Sequence, residues 1–142
     1  MRKRLRRRLR DPKANPMFES GGPIAERDLL DLRLREHLAL DDLTHWSGHP
    51  ADLRTLRITA AVARLLTAVG IGTDELGGLD AADKVLRKYR VNPPGITGVC
   101  EADQAPLRWL LVYADAQRAV ASCREYRLAL ARMRQQPSLY GA

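Results

Sequence analysis

The sequence predicts an all-α protein: a bundle of about four helices, the last of them long, preceded by a disordered basic arm. Three observations point there. The 142 residues are 45% hydrophobic but only 5% aromatic, so the core must draw chiefly on Leu, Ala and Val, and unbranched Leu and Ala lose little rotamer freedom in a helix. Apolar positions recur at steps of three and four over long stretches. Pro and Gly clusters divide the chain into segments of helical length.

The first segment is "MRKRLRRRLRDPK". Arg2, Lys3, Arg4, Arg6, Arg7, Arg8, Arg10 and Lys13 make eight cations against one anion, a net +7. The whole chain has 24 basic and 17 acidic residues, also +7, so the other 129 residues carry 16 of each sign and are neutral. The arm therefore holds the entire excess. Pro12, Pro16, Pro23 and Gly21-Gly22 break regular structure, and repulsion among the cations favours an open chain. Residues 1–23 are accordingly arm and linker, 24–136 the helical bundle, and 137–142 a tail.

Within the bundle, a first helix is expected over Ile24–Leu43, with Pro23 at its start and Glu26, Asp28 and Asp31 facing the positive end of the dipole. A second is expected over Ala51–Val69, with Leu53, Leu56, Ala60, Val62, Leu65, Leu66 and Val69 as its core face and Gly70 as a left-handed cap. A third follows Thr73, whose hydroxyl is the expected cap. Its firm part is Asp80–Tyr89, with Leu79, Ala82, Leu86 and Tyr89 inward. "VNPPGITG" is a loop.

The last helix is expected to run unbroken over Asp103–Gln135. Trp109, Val112, Ala116, Ala119, Cys123, Tyr126, Leu130 and Met133 form a heptad stripe, and Trp109 to Met133 spans about 36 Å. The stripe is read as a core seam along which the other helices pack, with a dimer through the long helix as the other use of such a seam.

The arm suggests contact with nucleic-acid phosphates, DNA or RNA, because clustered Arg and Lys release counterions whatever the base sequence. Leu5 and Leu9 are the residues interleaved among its cations. With no aromatic side chain to stack on bases, backbone contact is favoured over base readout. Arg124, Arg127, Arg132 and Arg134 near the end of the last helix are read as a solvated face that suits the helix C-terminus. The rival function is a protein-interaction module, or an inhibitor of a host protein, acting through the bundle.

Other chemistry is weakly supported. His37, Asp41 and His45 step by four, the spacing of a zinc or iron donor set. Gly48 and Pro50 end the helix nearby, however, so no metal is expected. "VGIGTDELGG" follows a helix, has no Lys and lacks phosphate-loop spacing, which makes it a cap and turn. Cys100 and Cys123 are read as free thiols, Cys123 buried and inert. No catalytic constellation and no cofactor is expected. The longest apolar run, Trp109 to Ala114, is far too short for a membrane span, and the expected setting is cytoplasmic.

The ordered landmarks are the Arg-rich head, Asn15-Pro16, "DLRLREHLAL", "ADLRTL", Ala63 to Gly72, and "YADAQRAV". Together they resemble the short, basic, helical orphan proteins of tailed phages and prophages of GC-rich proteobacteria. That resemblance implies a phage or prophage origin and carries over no activity or catalytic residue.

Overall fold

The computed structural model of the protein describes residues 21–90 and 98–136. The arm cations, residues 91–97 of the expected loop and the tail 137–142 lie outside the described residues. Those described contain five α-helices: α1 Glu26–Thr44, α2 Pro50–Ala68, α3 Gly78–Arg90, α4 Glu101–Val120 and α5 Cys123–Gln135. No named strand occurs among them. None of these helices is long and apolar enough to cross a membrane.

α1 begins two residues later than expected, with Glu26 and Asp28 in its first turn. It stops where Trp46 takes a positive φ of 58°. Its core face is Ala39, Leu40 and Leu43, while Leu30, Leu34 and Leu38, four apart, lie exposed. A helix turns 100° per residue, so those three leucines lie on the side away from the core.

α2 opens with Pro50 in its first turn, where no backbone donor is needed. Asp52 Oδ2 accepts the His49 N–H at 2.7 Å. The helix closes as the sequence implied. Gly70 has φ +90°, and Ile71 N–H reaches back to the Leu66 carbonyl at 2.9 Å, an arrangement open to a residue that tolerates the left-handed region. Thr59 through Ala63 are all buried. α2 is therefore covered all round at its middle, and it packs against each of the other four helices. The sequence assigned that central position to the last helix. The small side chains Ala60, Ala61 and Ala63 explain the difference, because they let neighbours approach α2 from several sides. Val69, expected in the core, is exposed.

α3 is capped by Asp74 and not by Thr73. The Asp74 carboxylate accepts Gly78 N–H at 2.7 Å and Leu79 N–H at 2.9 Å. Two acceptor oxygens satisfy two of the free amides of the first turn, where a hydroxyl would serve one. Leu79, Ala82, Leu86 and Tyr89 are buried as expected.

The single long helix is corrected to two. α4 ends at Val120, and Ala121 and Ser122 are extended, with ψ 144° and 157°. Ser122 Oγ accepts Glu125 N–H at 3.1 Å while Glu125 Oε1 accepts Ser122 N–H at 2.9 Å. This reciprocal capping box starts a new helix inside an apolar pattern that runs straight through. The heptad stripe divides with it. Cys123, Tyr126 and Met133 on α5 are buried, but Val112, Ala116 and Ala119 on α4 face solvent. The inner face of α4 is instead Leu107, Leu110, Leu111, Ala114, Gln117 and Arg118. The continuous seam needed for a dimer through a long helix is thus absent from the described residues.

Two apolar clusters result. One joins α1, α2, α3 and α4 around Leu43, Leu56, Leu107 and Leu110. The other joins Ile24, α2 and α5 around Leu66, Ala121, Tyr126 and Met133.

Candidate functional site

The chain that leads out of the arm is fixed at the α4–α5 junction. Cys123 N–H donates to the Gly22 carbonyl at 2.8 Å, Pro23 and Ser122 form an isolated antiparallel bridge, and Ile24 is buried. The backbone donor freed at the start of α5 is therefore satisfied by the arm's own linker. Eight residues lie between Lys13 and Gly22, and the nine Cα–Cα steps span at most about 32 Å. The arm cations Arg2, Lys3, Arg4, Arg6, Arg7, Arg8, Arg10 and Lys13 are not among the described residues, so only their point of attachment is placed.

That attachment lies beside the most cationic helix. α5 carries Arg124, Arg127, Arg132 and Arg134 against Glu125, a net +3, whereas α1 carries three cations and six anions, a net −3. Elsewhere several cations are engaged. Arg64 donates to Asp80 at 2.8 Å and to Asp83, and Asp80 leads the contacts that raise its pKa. Lys88 pairs with Asp103 at 2.9 Å, and Arg33 lies 3.4 Å from Asp115.

A buried polar cluster that the sequence did not reveal sits where α1, α2 and α4 meet. Arg118 Nη1 and Nη2 donate to Glu36 Oε2 and Oε1 at 2.8 and 2.5 Å, and Nη2 also donates to Asp115 Oδ1 at 2.6 Å. The Thr59 hydroxyl donates to Glu36 Oε2 at 2.5 Å. Burial works against the Arg118 charge, but the hydrogen bonds and charge of Glu36 outweigh it and hold the guanidinium above its ordinary range. Burial likewise pushes Asp115 up, while Arg118 and His37 pull it below the usual carboxylate value and prevail. Next to this cluster, Gln117 Nε2 reaches the Ala63 and Ile71 carbonyls, each at 2.9 Å, and Thr67 Oγ1 at 3.0 Å. Its Oε1 is buried and has no hydrogen-bond partner among the described residues. No periodicity or spacing in the sequence marks Glu36 or Arg118, because each stands among other charged and polar residues.

The remaining sequence candidates separate. His37 Nε2 donates to Asp115 Oδ2 at 3.2 Å, while His45 Nδ1 bonds the Asp41 carbonyl at 2.8 Å. The two histidines thus engage different partners, and no group of three or more possible metal ligands occurs among the described residues. Cys123 is buried. Cys100 is exposed and belongs to a network that closes α3 onto α4. Its thiol donates to Asp103 Oδ2 at 2.9 Å, as do the Tyr89 hydroxyl at 2.6 Å and Lys88 Nζ at 2.9 Å. These donors, Cys100 first, hold the Asp103 carboxyl down at about 2. Burial and the bond to Asp103 push the Tyr89 phenol up. This geometry anchors a helix start; the thiol's acceptor is a carboxylate held at about 2, a weak base.

Comparison with protein-family models, curated proteins and solved structures finds no match for this chain.

Proposed function

We propose that this protein is a small, non-enzymatic accessory protein that holds nucleic-acid phosphates through Arg2, Lys3, Arg4, Arg6, Arg7, Arg8, Arg10 and Lys13, with the exposed cations of α5 as a second phosphate contact. One observation carries the proposal. The linker of an arm that holds the chain's whole net charge is pinned, through Gly22, to the first turn of the most cationic helix. Phosphates gathered by the arm would lie within reach of Arg124, at the arm's root. The resemblance to phage and prophage orphan proteins supports a phage origin and a setting in the host cytoplasm.

The test is fluorescence anisotropy with labelled duplex DNA, single-stranded DNA and RNA over a salt series, with the full chain against one lacking residues 1–13. If about six arm cations meet phosphates, log affinity against log salt on duplex has a slope near −5. Deletion removes most of that slope. Absence of binding by either chain at low salt would exclude the proposal.

A second reading, a protein-interaction module acting through the bundle, has its own observation. Leu30, Leu34 and Leu38 form an exposed stripe on the acidic helix α1. Such a stripe suits a basic amphipathic helix of a partner protein, and that association would survive salt that abolishes phosphate binding.

A further inference from the structure

α1 and α5 each pack on α2 but scarcely on one another. They leave between them a groove of about 740 Å³, which is in the size range of binding sites. Leu32 of α1 and Leu128, Leu130 and Ala131 of α5 supply its apolar walls. It opens into a deeper cavity of about 330 Å³, which shares Leu32 and Leu130 and is floored by Ile58, Val62 and Leu66 of α2. Leu128 is 57% exposed. Apolar surface thus lies uncovered among the described residues, and contiguous surface of this kind marks a docking site.

The mouth of the groove is where the N-terminal segment joins the bundle. Ile24, Cys123 and Arg124 line it there, and Gly22 is held to Cys123 by the 2.8 Å bond. The bridge of Pro23 with Ser122 is antiparallel, so the chain followed backward from Gly22 sets out in the direction in which α5 advances. Its next large apolar side chains are Phe18 and Met17, in the stretch "ANPMFES". Phe18 is four Cα steps from Gly22, a reach of at most about 14 Å. Leu130 is seven residues along α5 from Cys123, about 10 Å at 1.5 Å per residue. The segment therefore has the length to bring an aromatic ring to the apolar part of the groove.

We propose that residues 14–20 dock in the α1–α5 groove of their own chain, with the Phe18 ring between Leu32 and Leu130, Met17 toward the deeper cavity and Glu19 beside Arg124. A large aromatic side chain buries about 150–250 Å² in such a site. The tether makes the docking intramolecular, at an effective concentration on the order of millimolar, so a weak intrinsic affinity suffices. A second copy's segment would have to compete with it. The docking involves no arm cation and does not depend on the phosphate-binding proposal. One consequence does rest on that proposal: the arm's tether shortens, because Lys13 then stands five Cα steps from the groove, at most about 18 Å.

Phe18 is the chain's one phenylalanine, so NMR of the full chain carrying labelled phenylalanine reads this ring alone, without nucleic acid. The expected result is nuclear Overhauser contacts from the ring to the Leu32 and Leu130 methyls, unchanged on dilution. In a Phe18→Ser chain, amide hydrogen exchange should rise severalfold in α1 and α5 but not in α3, and Phe18→Leu should keep most of the protection. Ring signals at the positions of the free amino acid, with no contact to either leucine, overturn the proposal. So do contacts that pass between differently labelled copies, which assign the groove to a second copy. Equal exchange in the parent and Phe18→Ser chains overturns it as well.

Discussion

The guanidinium of Arg118 grips the carboxylate of Glu36 through two parallel hydrogen bonds, 2.8 and 2.5 Å long, across 82 residues of chain. Both residues are 4% exposed. The pair ties the outer helix α1 to α4, and Thr59 adds α2 to the same carboxylate.

A charge removed from such a pair leaves its partner buried and uncompensated. Arg118→Met is expected to destabilise the fold by about 3–5 kcal/mol, and Glu36→Leu by a similar amount, in urea unfolding. The double substitution should cost much less than the sum, because no lone charge remains. Additive losses would mean that the two side chains act separately.

Asp103 sets an acid limit on stability. Its folded pKa of about 2 lies below its ordinary 3.8. The folded state then binds fewer protons than the unfolded state between those values, so the carboxylate's contribution is complete above pH ~4 and declines as the pH falls toward ~2. Asp115 is shifted in the same direction. Urea midpoints between pH 2 and 6 should fall at the acid end of the series, and Asp103→Asn should flatten that fall while lowering the plateau. An unchanged acid slope in Asp103→Asn would remove this carboxylate from the account.

The break between α4 and α5 depends on a reciprocal cap. Ser122→Ala deletes the acceptor for Glu125 N–H and is expected to cost ~1 kcal/mol. Hydrogen exchange in the first turn of α5 should rise more than exchange in α2. Uniform change across both helices would show that the cap contributes only to global stability.

Gly78 gives Trp109 its place. A Cβ at Gly78 would clash with the Trp109 indole at Cζ2, and that indole is stacked on Tyr113 with ring centroids 4.8 Å apart. Gly78→Ala is expected to displace the ring, at a cost of roughly 1–3 kcal/mol, with a shift in tryptophan emission. Gly21→Ala, where nothing among the described residues lies within 4 Å, is the matching control and should leave both unchanged.

The exposed cations of α5 contribute to the proposed phosphate contact. Arg124→Ser/Arg132→Ser should make the salt slope on duplex DNA shallower by about 1.8, close to 0.9 per lost phosphate contact. An unaltered slope would confine phosphate binding to the arm.

Much of the fold was legible in the sequence because its signals are local. Gly70 as a left-handed cap, the inward stripe Leu79–Ala82–Leu86–Tyr89, and the approximate limits of α1 and α2 all follow from side-chain periodicity and from Pro and Gly punctuation. The break at Ser122 was also written locally, as Ser122 followed by Glu125, but an uninterrupted apolar stripe masked it. The charge asymmetry that motivates the proposed site is a property of composition alone.

By itself the sequence determined the helical class, the approximate limits of α1 to α3 and the concentration of charge in residues 1–13. Each of these depends on residues within a few positions of one another. Only the tertiary structure decided that α2 is the central helix, that Glu36 and Arg118 are buried together, that the Gln117 amide bridges two backbone carbonyls of α2 and the turn after it, and that the arm's root meets α5. Those facts join residues tens of positions apart, and helix periodicity carries no information about which faces will meet. A charge can be buried when a partner from another helix compensates it, and that partner is set by packing.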